Sequence, residues 1–341
     1  HKNAVDYTKD ETMLDVTSYV TGAYVAGQPA DAQTATVLAL GDIMLDRHVR
    51  LQIEKKGNKY PFANIERFLD GSDLTVANLE GTVTNMAPKR LEPDNIVFTF
   101  DPSVVTTLRD LSFDVVSLAN NHIDDFGAEG LRQTKEYLRA ADLDYFGDYF
   151  NQEEVMNIQE VRGMRIAFIG FHEFGYAGRE QVLGLIKQAK QEVDFVIVYP
   201  HWGAEYLPRP DQNQVTLAHQ FINAGADIVL GAHPHVVQPI EIYKDKLIVY
   251  SMGNFVFDQQ FSTAVKNGLG LGLVLHKEVA GQSSVEVSLF PYSISAGFQV
   301  ELYPVEQAKT FYKQYAGQST ASEDIKAAML RGVFELNWPK L

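Results

Sequence analysis

The segment IVLGAHPHVVQP, residues 228–239, sets His233 and His235 around Pro234 directly after an apolar run. Imidazole binds zinc, iron and manganese, carboxylates suit harder cations, and a set of both without sulfur fits a divalent first-row metal. In extended backbone an i, i+2 pair points to one side, and Pro234 stiffens the residues between. Two adjacent cations could then each take one imidazole. Of the nine histidines, His122, His201, His233 and His235 follow apolar runs, as do Asp42, Asn78, Glu80 and Asn121. Taken singly, Asp42 or Asn78 reads as a turn residue or helix N-cap, and a lone histidine as a hydrogen-bonded structural residue. With Asn254 after KLIVYSM, they recur at six strand ends, which favours a metal centre.

The elements that must gather these residues are short apolar runs spaced by amphipathic stretches. TVLAL precedes helices near 46–56 and 62–70, LTVANL a helix near 102–111, and DVVSLA a helix near 128–141. RIAFIGF, DFVIVY, DIVL and KLIVYS follow, with helices near 179–192 and 212–224. Apolar strands alternating with helices predict an α/β fold with strands buried on both faces. In such sheets ligands collect at the carboxyl ends of strands. After about residue 268, GLGLGLVLHK and SSVEVSLFPYSI predict an antiparallel edge or second sheet, and residues 304–335 read as helical. GLGLGL lies inside a strand-like run, so it reads as plain strand, not a dinucleotide fingerprint.

Residues 1–35 are polar and read as a lead segment, 36–300 as the main domain and 301–341 as a helical C-terminal extension. The formal charge of −15 supplies no basic footprint for a phosphate backbone, which argues against nucleic acid. Without cysteine a disulfide, a thiolate nucleophile or a zinc–thiolate site is excluded. The chain begins at His1, and the expectation is that a signal or membrane anchor precedes it in the native protein.

The motifs GDIMLDRHV, VANLEG, SLANNHIDDFG, YPHWGAEY, GAHPHVVQPIE and YSMGNFVFDQ, in order across residues 41–258, resemble those of the CapA (PgsA) family of poly-γ-glutamate capsule synthesis proteins. That family is in turn similar to calcineurin-like metallophosphoesterases, which implies a two-sheet α/β sandwich with a dinuclear centre. Carried over, the resemblance implies Asp42, Glu80, Asn121, His201, His233 and His235 as ligands of one or two divalent ions, Mn, Zn or Fe. Asn78, Asn254 and Glu205 are expected to contact substrate or support the ligands. Met44 stands where ordinary metallophosphoesterases place a histidine, which weakens one cation site. Asp46, where many members have a small residue, reads as a helix cap.

For catalysis, two cations about 3.5–4 Å apart would acidify a shared water. His122 would serve as general acid, oriented by Asp125. Arg47 is a candidate grip for an anionic substrate, with a structural salt bridge as its alternative. His219, within a helix, reads as packing or support. The resemblance implies an extracytoplasmic, membrane-tethered component beside membrane-embedded poly-γ-glutamate synthase partners, acting on an anionic polymer or a phosphorylated substrate. A metal-dependent hydrolase and a binding protein without turnover are the alternatives.

Overall fold

A computed structural model describes residues 33–86, 96–174, 178–277 and 283–338. In chain order the strands are β1 (Gln33–Ile43), β2 (Leu74–Leu79), β3 (Thr82–Val83), β4 (Thr99–Phe100), β5 (Val115–Ser117) and β6 (Asp144–Phe146). They continue with β7 (Met156–Val161), β8 (Met164–His172), β9 (Phe195–His201), β10 (Ile228–Leu230), β11 (Val237–Tyr243) and β12 (Lys246–Met252). The last are β13 (Asn254–Val256), β14 (Asn267–Lys277), β15 (Ser283–Ile294), β16 (Val300–Leu302) and β17 (Val333–Trp338).

One sheet runs β16-β15-β14-β1-β2-β5-β6, with β13 also on β1 and β17 also on β15. The other runs β11-β12-β10-β9-β8-β7. Side-chain alternation along β1 separates two cores. Leu38 and Leu40 pack with residues of the helices Arg47–Lys56, Ser103–Asp110 and Gly127–Ala140. Val37 and Ala39 face the second sheet, against Ile166, Ile197, Leu230 and Val249. The outer face of that sheet is covered by the helices Arg179–Glu192 and Gln212–Ala224. The result is the expected two-sheet α/β sandwich, with helices on both outer faces. Each fully buried Val, Leu or Phe contributes about 1.5–3 kcal/mol.

GLGLGL is strand, as expected. Its leucines enter the core between the sheets, while at Gly272 the ring of Phe290 occupies the space of a missing side chain. The hairpin β14–β15 extends the first sheet antiparallel from β1. Three boundaries differ from expectation. Strand β1 takes up Gln33 to Ala35, at the end of the expected lead segment; residues 1–32 of that segment lie outside the described residues. The 62–70 helix shrinks to Glu66–Leu69 after a single 3-10 turn at Tyr60–Phe62. The C-terminal segment holds the helices Val305–Gln318 and Glu323–Met329 but ends in β17. VFELNW buries alternate residues against β15, a strand period that the helical reading passed over.

Beside the strand ends the chain itself ties the two sheets together. It leaves β12 in the second sheet, turns at Gly253 (φ 70°), and enters β13 alongside β1 in the first. At the crossing Asp42 N–H donates to the Gly253 carbonyl at 3.1 Å, and Met44 N–H to that of Val256 at 2.8 Å. This contact demands a glycine opposite: a Cβ at Gly41 would lie 1.8 Å from the Gly253 oxygen. Gly41→Ala should therefore destabilise the protein by about 3 kcal/mol or more. Thermal unfolding would check this, and a melting curve matching the parent would remove the crossing from the account.

Candidate metal centre

The parallel register of the first sheet sets Asn254, Asp42 and Asn78 side by side on β13, β1 and β2. In the second sheet His172 at the end of β8 pairs with His201 at the end of β9, and His201 bridges to Ala232, the residue before His233. Apart from Asn254, which opens β13, both rows lie at carboxyl ends, and the crossing at Gly253 brings them together. Alternation fixes which way each row points. Trp202, next to His201, turns into the outer core and donates to the Tyr250 carbonyl at 2.9 Å.

Two groups of side chains converge. Asp42, Glu80 and His235 place one ligand atom each within 4.8 Å of one another, and so do Glu205, His233 and His235. Asp42 and Glu80 are fully buried, and Glu205 is exposed. Burial, and then the neighbouring Asp42, push the Glu80 carboxyl well above the usual range. Burial alone would lower His235, but Glu80 and Asp42 outweigh it and raise it to about 9. Glu80 Oε1 is buried without a hydrogen-bond partner. It faces His235 Nε2 at 3.7 Å and His122 Nε2 at 3.9 Å. An unpaired buried carboxylate oxygen is costly, and a divalent cation bonding it would offset that cost. The residues present therefore fit a divalent metal with N and O ligands.

Asn78 organises the floor. Its amide donates to Asp42 Oδ1 at 2.8 Å and lies 3.3 Å from His201 Nδ1, while its carbonyl accepts from Asn120 at 3.0 Å. His201 Nε2 meets Asn121 Oδ1 at 2.8 Å and His233 Nδ1 at 3.0 Å. Both nitrogens of His201 thus have protein partners, and it does not belong to the two converging groups. Burial, then the neighbouring His233, hold His201 well below the ordinary histidine range. Burial and His235 depress His233 to about 3. Both rings are thereby held towards the neutral form, the form that can bind a cation. Asn254 Oδ1 accepts from His235 Nδ1 at 2.9 Å.

The histidine pair is not extended. His233 and His235 have φ of 95° and 57°, in the left-handed region, and such backbone costs of order 1–3 kcal/mol per residue. The twist sends the two rings in different directions, with centroids 5.7 Å apart. His233 meets His201, and His235 meets Glu80 and Asp42. The loop is held by His233 N–H donating to Asp42 Oδ2 at 3.2 Å and by Tyr206 N–H donating to the Pro234 carbonyl at 2.8 Å.

His122 Nδ1 lies 2.9 Å from Asp125 Oδ2, which also accepts from Phe98 N–H at 2.6 Å. The Phe98 ring packs on the imidazole, centroids 4.1 Å apart, and Asn121 Nδ2 is 3.1 Å from Nε2. Arg47 is engaged by Asp258 in a bidentate ion pair and lies over the rings of Phe98 and Phe257. Asp46 caps the helix Arg47–Lys56, accepting from Arg47 N–H and also from Thr99 N–H at 2.8 Å. Met44 is buried, its sulfur 3.1 Å from Asp46 N. His219 stacks on Tyr243 and bonds Glu241 at 2.9 Å, in the outer layer.

Sequence reasoning passed over His172. Its ring lies 6.0 Å from that of His201, its Nδ1 is buried and unpaired, and burial lowers it to about 4. The signal was present: RIAFIGFH is another apolar run ending in histidine.

Residues 36–259 match the family model described as bacterial capsule synthesis protein PGA_cap. The chain belongs to this PGA_cap family. The capsule biosynthesis protein CapA of Bacillus anthracis is 37% identical over 256 residues, 69% of this chain and 62% of that protein. The PGA biosynthesis protein CapA of Bacillus subtilis (strain 168) is 35% identical over 237 residues, 64% of this chain and 62% of its own length. A probable polyglutamine synthesis accessory protein of Mycobacterium tuberculosis is 26% identical over 296 residues, 69% of this chain and 77% of that one. The matched region thus spans 62% of the length of the two Bacillus relatives. Among solved structures, TT1561 of Thermus thermophilus aligns with 70% of this chain and 94% of its own at 13% identity, with a TM-score of 0.41. That likeness is too loose to bear on the site.

The donor set of this PGA_cap chain predicts a metal-dependent melting temperature. A cation at 100 times its dissociation constant adds about 2.7 kcal/mol, a rise of several degrees that a chelator reverses. Glu80→Gln should abolish the rise while changing the metal-free protein little, since burial and Asp42 already disfavour the charged form of Glu80. Calorimetry with and without Mn²⁺ reads both, and an unchanged rise in the variant would refute the role given to Glu80.

Proposed function

We propose that this chain works in the synthesis and export of a poly-γ-glutamate capsule polymer, through a strand-end centre that holds one or two divalent cations, Mn, Zn or Fe. The observation that carries the metal is the unpaired buried oxygen of Glu80 beside Asp42 and His235. The names of the Bacillus relatives supply the polymer. Asp42, Glu80 and His235 would hold one cation, and Glu205 and His233, with His235 between the groups, a second. Asn121 and His201 would join them by giving up their mutual hydrogen bond.

When bound, the metal supplies an electrophile and lowers the pKa of a coordinated water. The chain's own residues handle the proton. Asp125 accepts from His122 Nδ1, so Nε2 is the acceptor that meets the Asn121 amide; once protonated there, the ring would deliver that proton to a leaving oxygen or nitrogen. Arg47, neutralised by Asp258, is better suited to shaping the wall of the site than to gripping an anion. His122 and Asp125 favour a second reading within the first, in which the centre is a hydrolase of a phosphoester or amide. We place the protein outside the cytoplasm, tethered through a preceding segment beside membrane-embedded synthase components. Among the described residues no helix is long and apolar enough to cross a membrane.

In a strain lacking this protein, polymer production should return with the parent chain and fail with His235→Ala at equal protein level. Full production by the variant would defeat the metal reading. If the centre hydrolyses, His122→Ala should lower turnover of a generic phosphodiester with Mn²⁺ by about 10²–10⁴-fold at unchanged metal content.

Metal affinity should also depend on pH. Without a cation His235 and Glu80 both titrate upward of their ordinary values, so binding must displace protons. Affinity then rises from pH 6 to 9, with proton release seen by titration calorimetry in buffers of different ionisation enthalpy. A flat profile would remove this coupling.

A further inference from the structure

The charged centre opens into surroundings of a different kind. Phe150, Phe174, Tyr206 and Phe261 are exposed, by 53%, 55%, 42% and 67%. Phe174 lies against His233 at 4.8 Å between centroids and against His172 at 5.7 Å. Tyr206 lies 6.0 Å from His235, and Phe261 stands edge-on to Tyr206 at 5.1 Å. Phe150 packs on Tyr149 at 4.4 Å, and Tyr149 meets His172 at 5.2 Å. Single exposed aromatics are ordinary, but four linked through ring contacts to the histidines of one centre mark a binding surface.

The electrostatics narrow what could lie there. Asp42, Glu80, Glu205 and Asp125 are all acidic, Arg47 is bound to Asp258, and the whole chain carries −15. Like charges repel over about a Debye length, near 10 Å at 0.1 M salt. Against that repulsion, neutral contacts must add to the affinity of a polyanion held here. A γ-linked glutamate chain offers such contacts, because the linkage puts two methylenes and a flat amide of every residue into the main chain. Those groups lie well on aromatic faces, and the α-carboxylates can turn to solvent or to the cations.

We propose that this aromatic collar is the polymer-binding subsite: Phe150, Phe174, Tyr206 and Phe261 seat the methylene and amide faces of a γ-linked glutamate chain and present one residue of it to the metal centre. The proposal rests on the capsule-polymer reading above. It makes the rings, not surface charge, the determinants of affinity.

The test is fluorescence anisotropy of a labelled γ-linked glutamate decamer with the Mn²⁺-loaded protein. Phe174→Ala and Phe261→Ala should each weaken binding about tenfold and together about a hundredfold, with Mn²⁺ content and melting temperature unchanged. Phe261→Trp should restore affinity. Parent affinity should hold or rise between 50 and 500 mM KCl, as salt screens the repulsion between two acidic partners. Parent-like binding by the double variant, a loss greater than tenfold in salt, or no binding by the parent would each overturn the proposal. So would variants that keep polymer affinity but lose binding to anionic phospholipid vesicles, which would make the collar a membrane surface. Repeating the titration on chelated protein separates the two claims. Ring-dependent binding that survives metal removal upholds the collar even if the metal reading fails.

Discussion

Two carboxylates buried side by side are the constraint from which the rest of the structure follows. Asp42 and Glu80 are shut away from water, and two like charges about 4 Å apart repel by about 4 kcal/mol at an effective dielectric near 20. In the metal-free chain that repulsion raises the Glu80 carboxyl above its usual range, and the two carboxylates in turn raise the His235 imidazole between them. A divalent ion relieves it without protons. The neighbouring polar groups are arranged accordingly. Asn78 donates to Asp42, Asn254 orients His235, and His201 and His233 stay neutral.

Unusual backbone geometry holds this arrangement in place. His233 and His235 occupy left-handed conformations that most side chains avoid, and Asp42 approaches Gly253 so closely that residue 41 has no room for a Cβ. The Tyr199 hydroxyl reaches across the core between the sheets to donate to the Leu40 carbonyl, two residues before Asp42. Strain at the loop is offset by hydrogen bonds from His233 to Asp42 and from Tyr206 to Pro234.

Much of this was legible in the sequence, because buried parallel strands are written as apolar runs and their carboxyl ends are where function collects. The rule located Asp42, Glu80, His201, His233 and His235 without any knowledge of the fold. It also applied to His172, which was missed because no family motif drew attention to RIAFIGFH. The backbone at His233-Pro234-His235 was misread, since i, i+2 spacing implies a common face only in extended chain, and nothing local announces a left-handed histidine. Glu205 entered as a supporting residue because an exposed carboxylate in a loop carries no period. Its nearness to His233 and His235 depends on where that loop folds back. The strand β17 escaped because the helical reading of residues 304–335 was carried on past the last helix, which ends at Met329.

The passage of the chain from β12 through Gly253 into β13 also limits how the molecule can move. A continuous segment hydrogen-bonded in both layers acts as a hinge pin, and the sheets cannot slide past each other without breaking the bonds at Asp42 and Met44. Shear between the layers, a common mode of domain opening, is therefore closed to this fold. Access for a large ligand has to come from the rim, past the exposed Glu205, Tyr206 and Phe261, while the floor of the site keeps its shape.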